Sequence, residues 1–266
     1  MDRESKERIL IITEGKVDEE ELVKKLFDCF GISANKEFFS YGTNIHKLYK
    51  RIFPDSEEVV EIDLLKTLKE KARNENATED LKILNQSYTS VILIFDYDVA
   101  DPCFRNNKTD YEKLLRYFNE DTPDRGKLYI NYPMLESYKH FKAIPPDDDF
   151  LNSTVSTIGL KSKTYKTLVM GNQNNTPESC KPNLEDYTLK DFKYIIKACI
   201  EKAYYISTGC KADTVKWDIR LNEKIRYIDV LSQQKRLTVE ENKIYVLNTC
   251  ITFIAEYSSR LLENTA

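Results

Sequence analysis

The chain has 266 residues and no uninterrupted apolar run of the roughly 18 that a membrane-spanning helix needs. Histidine is scarce, with two residues, and the six cysteines (Cys29, Cys103, Cys180, Cys199, Cys210 and Cys250) stand singly, without a CxxC pair. That scarcity argues against a structural zinc site, which draws its ligands from clustered cysteines and histidines. It fits thiols kept reduced in the cytoplasm. No GxxxxGK[ST] occurs, so a P-loop nucleotide site is excluded. The opening MDRESKERI is polar rather than apolar, unlike a secretory signal. A cytoplasmic protein without membrane contact is expected.

What the chain does have is a balance of 41% apolar and 32% charged residues, enough for a packed core under a wet surface. Charge is unevenly spread. Residues 1–150 carry 23 Lys+Arg against 31 Asp+Glu, whereas residues 151–266 carry 17 against 13. An acidic half joined to a mildly basic half suits a metal-binding module beside a surface that tolerates a polyanion. The chain as a whole is not basic enough to be a strong nucleic-acid binder on its own.

The first half alternates strand and helix signals. Ile9–Thr13, Phe38–Tyr41, Val91–Phe95 (VILIF) and Lys127–Asn131 (KLYIN) read as four strands. Helices are expected over Val17–Phe30, Asn44–Phe53, Ile62–Ala72, Tyr111–Phe118 and Met134–Phe141. Strands separated by helix-length crossovers predict βαβ units around a parallel sheet. Residues 143–187 read mainly as loops. Three helices are expected after them, at about 189–206, 211–235 and 239–262, with Thr188/Asp191 and Thr238/Glu241 spaced as helix starts. The expected organisation is an α/β catalytic domain at 1–145, a loop-rich connector at 146–187 and a mostly α-helical extension at 188–266.

Acids gather where strands end. In a parallel sheet the carboxyl ends of the strands line one edge, where ligands bind. The first strand runs into Glu14, with Asp18 one turn further. VILIF runs into Asp96 and Asp98, whose alternate spacing points both carboxylates to one side of an extended segment. KLYIN leads through a proline to Glu136 and Lys139, three residues apart and therefore on one face if helical. Converging carboxylates raise one another's pKa unless a cation neutralises them, and hard divalent ions prefer oxygen ligands. Two such ions can activate water and stabilise the leaving oxygen of a phosphodiester. Glu19, Glu20 and Glu21 gain nothing from this argument and are expected to start a solvated helix.

TEGKVDE followed by IFDYD resembles the TOPRIM domain, an acid-bearing Rossmann-like module of topoisomerases, primases and several nucleases. The likeness covers about residues 8–141. Asp18, four residues after Glu14, is similar to the nuclease branch, the overcoming-lysogenisation-defect (OLD) nucleases and ribosomal-RNA maturases. The resemblance implies Mg²⁺ or Mn²⁺ held by Glu14, Asp18, Asp96, Asp98 and Glu136, with Glu14, Asp96, Asp98 and Lys139 as the catalytic set. Full-length OLD proteins carry an ATPase in the same chain and this chain has none. It therefore looks like the stand-alone TOPRIM nucleases encoded beside ABC-type ATPases in bacterial antiphage systems. That likeness implies an ATPase sensor as partner and a DNA or RNA substrate, tRNA included, and leaves room for a homo-oligomer.

In Leu160–Leu168 (LKSKTYKTL), Lys161, Lys163 and Lys166 surround Tyr165; the lysines could contact phosphates while the tyrosine stacks on a base. A solvated basic loop is the blander reading. Residues 211–236 carry Lys211, Lys216, Arg220, Lys224, Arg226, Lys235 and Arg236 around Trp217, as a docking face or an amphipathic packing helix. His46 and His140 lack a companion for general-base work and read as structural. Two alternatives stand beside the nuclease. FDYDVAD resembles the DxDx[TV] motif of haloacid-dehalogenase-like phosphatases, with Asp96 as nucleophile and Asp98 as acid/base. A non-catalytic interaction subunit of a defence complex is the other.

Overall fold

A computed structural model describes residues 7–54, 63–105, 109–171, 178–212, 219–257 and 262 of the chain. These fall into two compact units. The first lies within Met1–Glu21, Ile32–Phe95 and Pro102–Tyr129, the second within Leu22–Gly31, Asp96–Asp101 and Ile130–Ala266.

The first unit is built on a mostly parallel sheet. Strands β1 (Arg8–Thr13), β2 (Asn35–Ser40), β3 (Ser90–Asp96), β4 (Asn119–Glu120) and β5 (Gly126–Asn131) lie in the order β2-β1-β3-β5-β4. Ile9–Ile12 and Val91–Phe95 are buried on both faces, as crossover helices on either side of a parallel sheet demand. The fifth strand, absent from the sequence expectation, is a two-residue edge pairing antiparallel through Asn119↔Lys127. Two residues are too few to show a period. Gly126 opens β5 at φ +82, and a Cβ there would stand 2.6 Å from Leu93 Cδ1. Only glycine permits that approach.

The helices of this half are α1 (Asp18–Phe30), α2 (Ile45–Ile52), α3 (Leu64–Asn74), α4 (Thr78–Leu84), α5 (Pro102–Arg105) and α6 (Tyr111–Tyr117). Asn44, Asp63 and Asp110 cap α2, α3 and α6 by accepting from the backbone N–H three residues on. The α1 helix continues from the first unit into the second at Leu22.

The second unit is mainly helical: α7 (Ser162–Met170), α8 (Leu189–Thr208), α9 (Tyr227–Glu241) and α10 (Phe253–Tyr257), with a two-stranded antiparallel ribbon of β6 (Thr154–Ser156) and β7 (Lys243–Tyr245). The expected Thr188 start is a full capping box with Asp191, and α8 buries Phe192, Ile195, Ile196, Cys199, Ile200, Ala203 and Ile206 along one stripe.

Four expectations need correction. Met134–Phe141 forms only a 3-10 turn at Leu135–Lys139, because Met134 is extended after Pro133 and the turn closes through i→i+3 bonds. LKSKTYKTL is not a loop, since its core forms α7 with Tyr165 and Val169 buried at i, i+4. The helix expected at 211–235 begins only at Tyr227, after a 3-10 turn at Ile219–Lys224; Lys216 and Trp217 lie outside the described residues. Thr238 starts no helix, because it sits inside α9 and bonds the Gln234 carbonyl at 2.8 Å. Buried Gln234 exchanges two hydrogen bonds with the Tyr245 backbone (3.1 and 2.9 Å), drawing that segment into β7. All six cysteines are free, and no described helix is long and apolar enough to cross a membrane.

Candidate functional site

In the first unit the site residues leave β1 on a tightly tied turn. The Glu14 N–H donates to the Ile94 carbonyl (3.1 Å) and its carbonyl accepts from Gly42 (3.1 Å), so its backbone still belongs to the sheet while its side chain is half-buried. Asp18 is exposed on the first turn of α1. Glu19, expected to be solvated, is buried: its Oε1 accepts the Gly15 N–H at 2.9 Å and closes the turn. His46 bonds Thr109 Oγ1 through Nδ1 at 2.7 Å and meets Tyr111 edge-on, a packed core histidine. Thr13 pairs with Ile94 in the register of the parallel neighbours β1 and β3, so Glu14 leaves the sheet at its carboxyl edge.

In the second unit, Asp96 and Asp98 are half-buried on either side of buried Tyr97, whose N–H bonds the Asn131 carbonyl at 2.9 Å. The NYPMLES segment beyond is clamped by residues 247–250. Tyr132 and Leu247 exchange backbone bonds at 2.8 Å, Asn248 Nδ2 donates to the Leu135 carbonyl (2.7 Å), and Thr249 Oγ1 donates to the Ile130 carbonyl (2.9 Å). Those bonds replace the helix that the sequence suggested, and they hold Glu136 rigidly.

Glu136 is the most unusual group of the site. Its side chain is 6% exposed, its Oε1 accepts from Lys166 Nζ at 2.7 Å, and its Oε2 is buried without a hydrogen-bond partner. A buried carboxylate with one oxygen unmatched is costly. The ion-pair partner is Lys166 of α7; Lys139 is half-buried, with its Nζ 5.4 Å from the Tyr138 ring centroid. Tyr165, next to Lys166, is fully buried and bonds His140 Nδ1 at 2.9 Å. It therefore presents no face for stacking on a base. Lys161 and Lys163 are exposed and Lys166 is half-exposed.

Burial first, and then the charges of Glu136 and Asp96, push the Tyr165 hydroxyl well above its ordinary pKa, so it stays protonated. His140 is pushed down to about 4, mainly by burial; Glu178 opposes that shift, while Lys202 and Lys142 add to it. Asp96, Glu136, Lys166, Tyr165 and His140 thus form one linked cluster. Pairs such as Tyr165–His140 and Glu136–Lys166 join elements far apart in the chain, which no periodicity reveals. The signal within reach was the apolar pair Tyr165/Val169 at helical spacing.

The unmatched Glu136 Oε2 is an oxygen acceptor of the kind hard divalent cations prefer. No protein family's sequence profile, no curated protein and no solved structure matches the chain.

Proposed function

We propose that the chain is a metal-dependent nuclease of the TOPRIM type, hydrolysing phosphodiester bonds of DNA or RNA as the effector of an ATPase-controlled antiphage system. The observation that carries this reading is Glu136, a buried carboxylate with one oxygen on Lys166 and the other unmatched, sharing the field at Tyr165 with Asp96. Lys166 supplies one positive charge to this cluster, and Mg²⁺ or Mn²⁺ would be held by Glu14, Asp18, Asp96, Asp98 and Glu136. The chemistry such ions would supply there is a lowered pKa for bound water and stabilisation of negative charge on phosphate oxygens. Lys166 holds Glu136 in place, Tyr165 remains protonated against His140, and Lys139 offsets developing charge on the phosphate. The phosphatase reading draws less support, because its DxD motif here closes β3 rather than the first strand of the sheet.

The test is cleavage of single- and double-stranded DNA, tRNA and other RNA by the purified chain with Mn²⁺, alone and with any ABC-type ATPase encoded beside it. Cleavage that disappears in Glu14→Ala and Asp96→Ala, with circular dichroism unchanged, is expected. Activity untouched by both substitutions overturns the reading. So does a wild-type chain that assembles with its ATPase yet never cuts, which would make it an interaction subunit.

A further inference from the structure

The second unit contains a cavity of about 310 Å³, at the small end of the roughly 300–1,000 Å³ typical of ligand sites. Phe141 and Phe150, packed at 4.3 Å between ring centroids, form an apolar wall continued by Val155 and Leu168. This wall is held from behind by Lys202, a fully buried lysine. Its Nζ donates to the Phe150 carbonyl (2.7 Å), the Ser153 carbonyl (2.8 Å) and Ser153 Oγ (2.7 Å), and lies 4.4 Å from the Phe150 ring centroid. All three N–H groups are matched, so a costly buried ammonium fixes the shape of the cavity before any ligand arrives.

Two features say what fits. The lining includes His140, whose Nδ1 is tied to Tyr165, the residue in the field of Glu136 and Asp96. The cavity is therefore tied through His140 to α7, the helix whose Lys166 holds Glu136. The charged lining is acidic: Asp147 and Asp149 are exposed, and Lys142 is engaged by Glu178 at 3.4 Å. An anionic group is repelled there, whereas a flat uncharged group with N–H donors finds apolar walls and carboxylate acceptors.

A polynucleotide brings such a group within a few bonds of every phosphate. We propose that the cavity receives one unstacked base of the substrate, an amino-bearing base (adenine, cytosine or guanine), with its exocyclic amine donating to the carboxylate rim. This inference rests on the phosphodiesterase reading above. It narrows the substrate to single-stranded or looped nucleic acid, where a base leaves its stack at least cost. Uracil and thymine have no exocyclic amine and set carbonyl oxygens against carboxylates.

The experiment is titration of the full chain with cytidine, adenosine and uridine, followed by NMR or calorimetry, beside cleavage of single-stranded oligonucleotides of one base type. Cytidine or adenosine binding at least tenfold tighter than uridine is expected, with the preference lost in Asp147→Asn/Asp149→Asn and binding lost in Leu168→Trp. The rim variant changes exposed residues only, so it reports even if the cavity-filling variant misfolds. Equal binding of uridine, no nucleoside binding at millimolar concentration, or a preference unchanged in the rim variant overturns the proposal. Selective nucleoside binding without any cleavage retains the base site and removes the nuclease.

Discussion

Lys202 and Glu136 are both charged, both buried and both in the second unit, yet their surroundings are opposite. Lys202 has an acceptor for every N–H and a ring on which to rest its charge. Glu136 has one oxygen on a half-exposed lysine and one on nothing. A charge whose every valence is met serves the fold, because moving it breaks several bonds at once. A charge left half-met stores interaction capacity for something that arrives later. The contrast sets a charge that serves the fold beside one left open for the proposed cation, without reference to any motif.

Substitutions can break this contrast. Lys202→Met removes the ammonium that donates to the Phe150 carbonyl, the Ser153 carbonyl and Ser153 Oγ and is expected to cost about 2–3 kcal/mol, the order of losing hydrogen bonds to a charged group, read as a lower midpoint in urea. The next effect is one of pH. Above pH 6.5 His140 is neutral in both folded and unfolded chains. Because its folded pKa is depressed to about 4, acidification from 6.5 toward 4 protonates the unfolded chain first and removes stability, up to about 3 kcal/mol in all. Glu178 limits that loss, whereas Lys202 and Lys142 enlarge it. Denaturation midpoints at pH 7 and pH 4.5 should therefore converge in His140→Gln.

Lys166→Met strands Glu136 and is expected to cost about 1–2 kcal/mol, discounted because the lysine is 40% exposed. Adding Glu136→Gln should recover most of that loss, since the stranded charge is gone. Glu136→Gln alone is expected to shift stability by less than about 1 kcal/mol while lowering cleavage about a hundredfold. If it proves as destabilising as Lys202→Met, the two charges are alike and the contrast fails.

Much of the fold was legible because it is local. ILIIT and VILIF are aliphatic runs of strand length, and Thr188 with Asp191 is a start signal complete in four residues. That Glu14 follows one strand and Asp96 closes another could be read from the order of those runs. What escaped was settled at long range. Residues 243–245 form a strand by pairing with Thr154–Ser156, some ninety residues away, with Gln234 also bonding Tyr245, against the helical pattern of their own sequence. Glu136 finds its cation on α7 rather than three residues along, because residues 247–250 hold its segment out of a regular helix. Glu19 looked like one of three interchangeable acids until the Gly15 N–H singled it out.

The α1 helix carries a consequence for synthesis. Its residues Leu22, Val23, Leu26 and Phe27 are fully buried, and Phe27 rests on Phe253 at 5.7 Å between ring centroids. The ribosome makes those two aromatics more than two hundred residues apart. At about 5–20 residues per second, the apolar face of α1 leaves the exit tunnel and waits on the order of ten seconds or more for its cover. By then every segment of the first unit has emerged, the last ending at Tyr129. Until then Phe27 lacks the ring that covers it, and a chain truncated before residue 253 never acquires it.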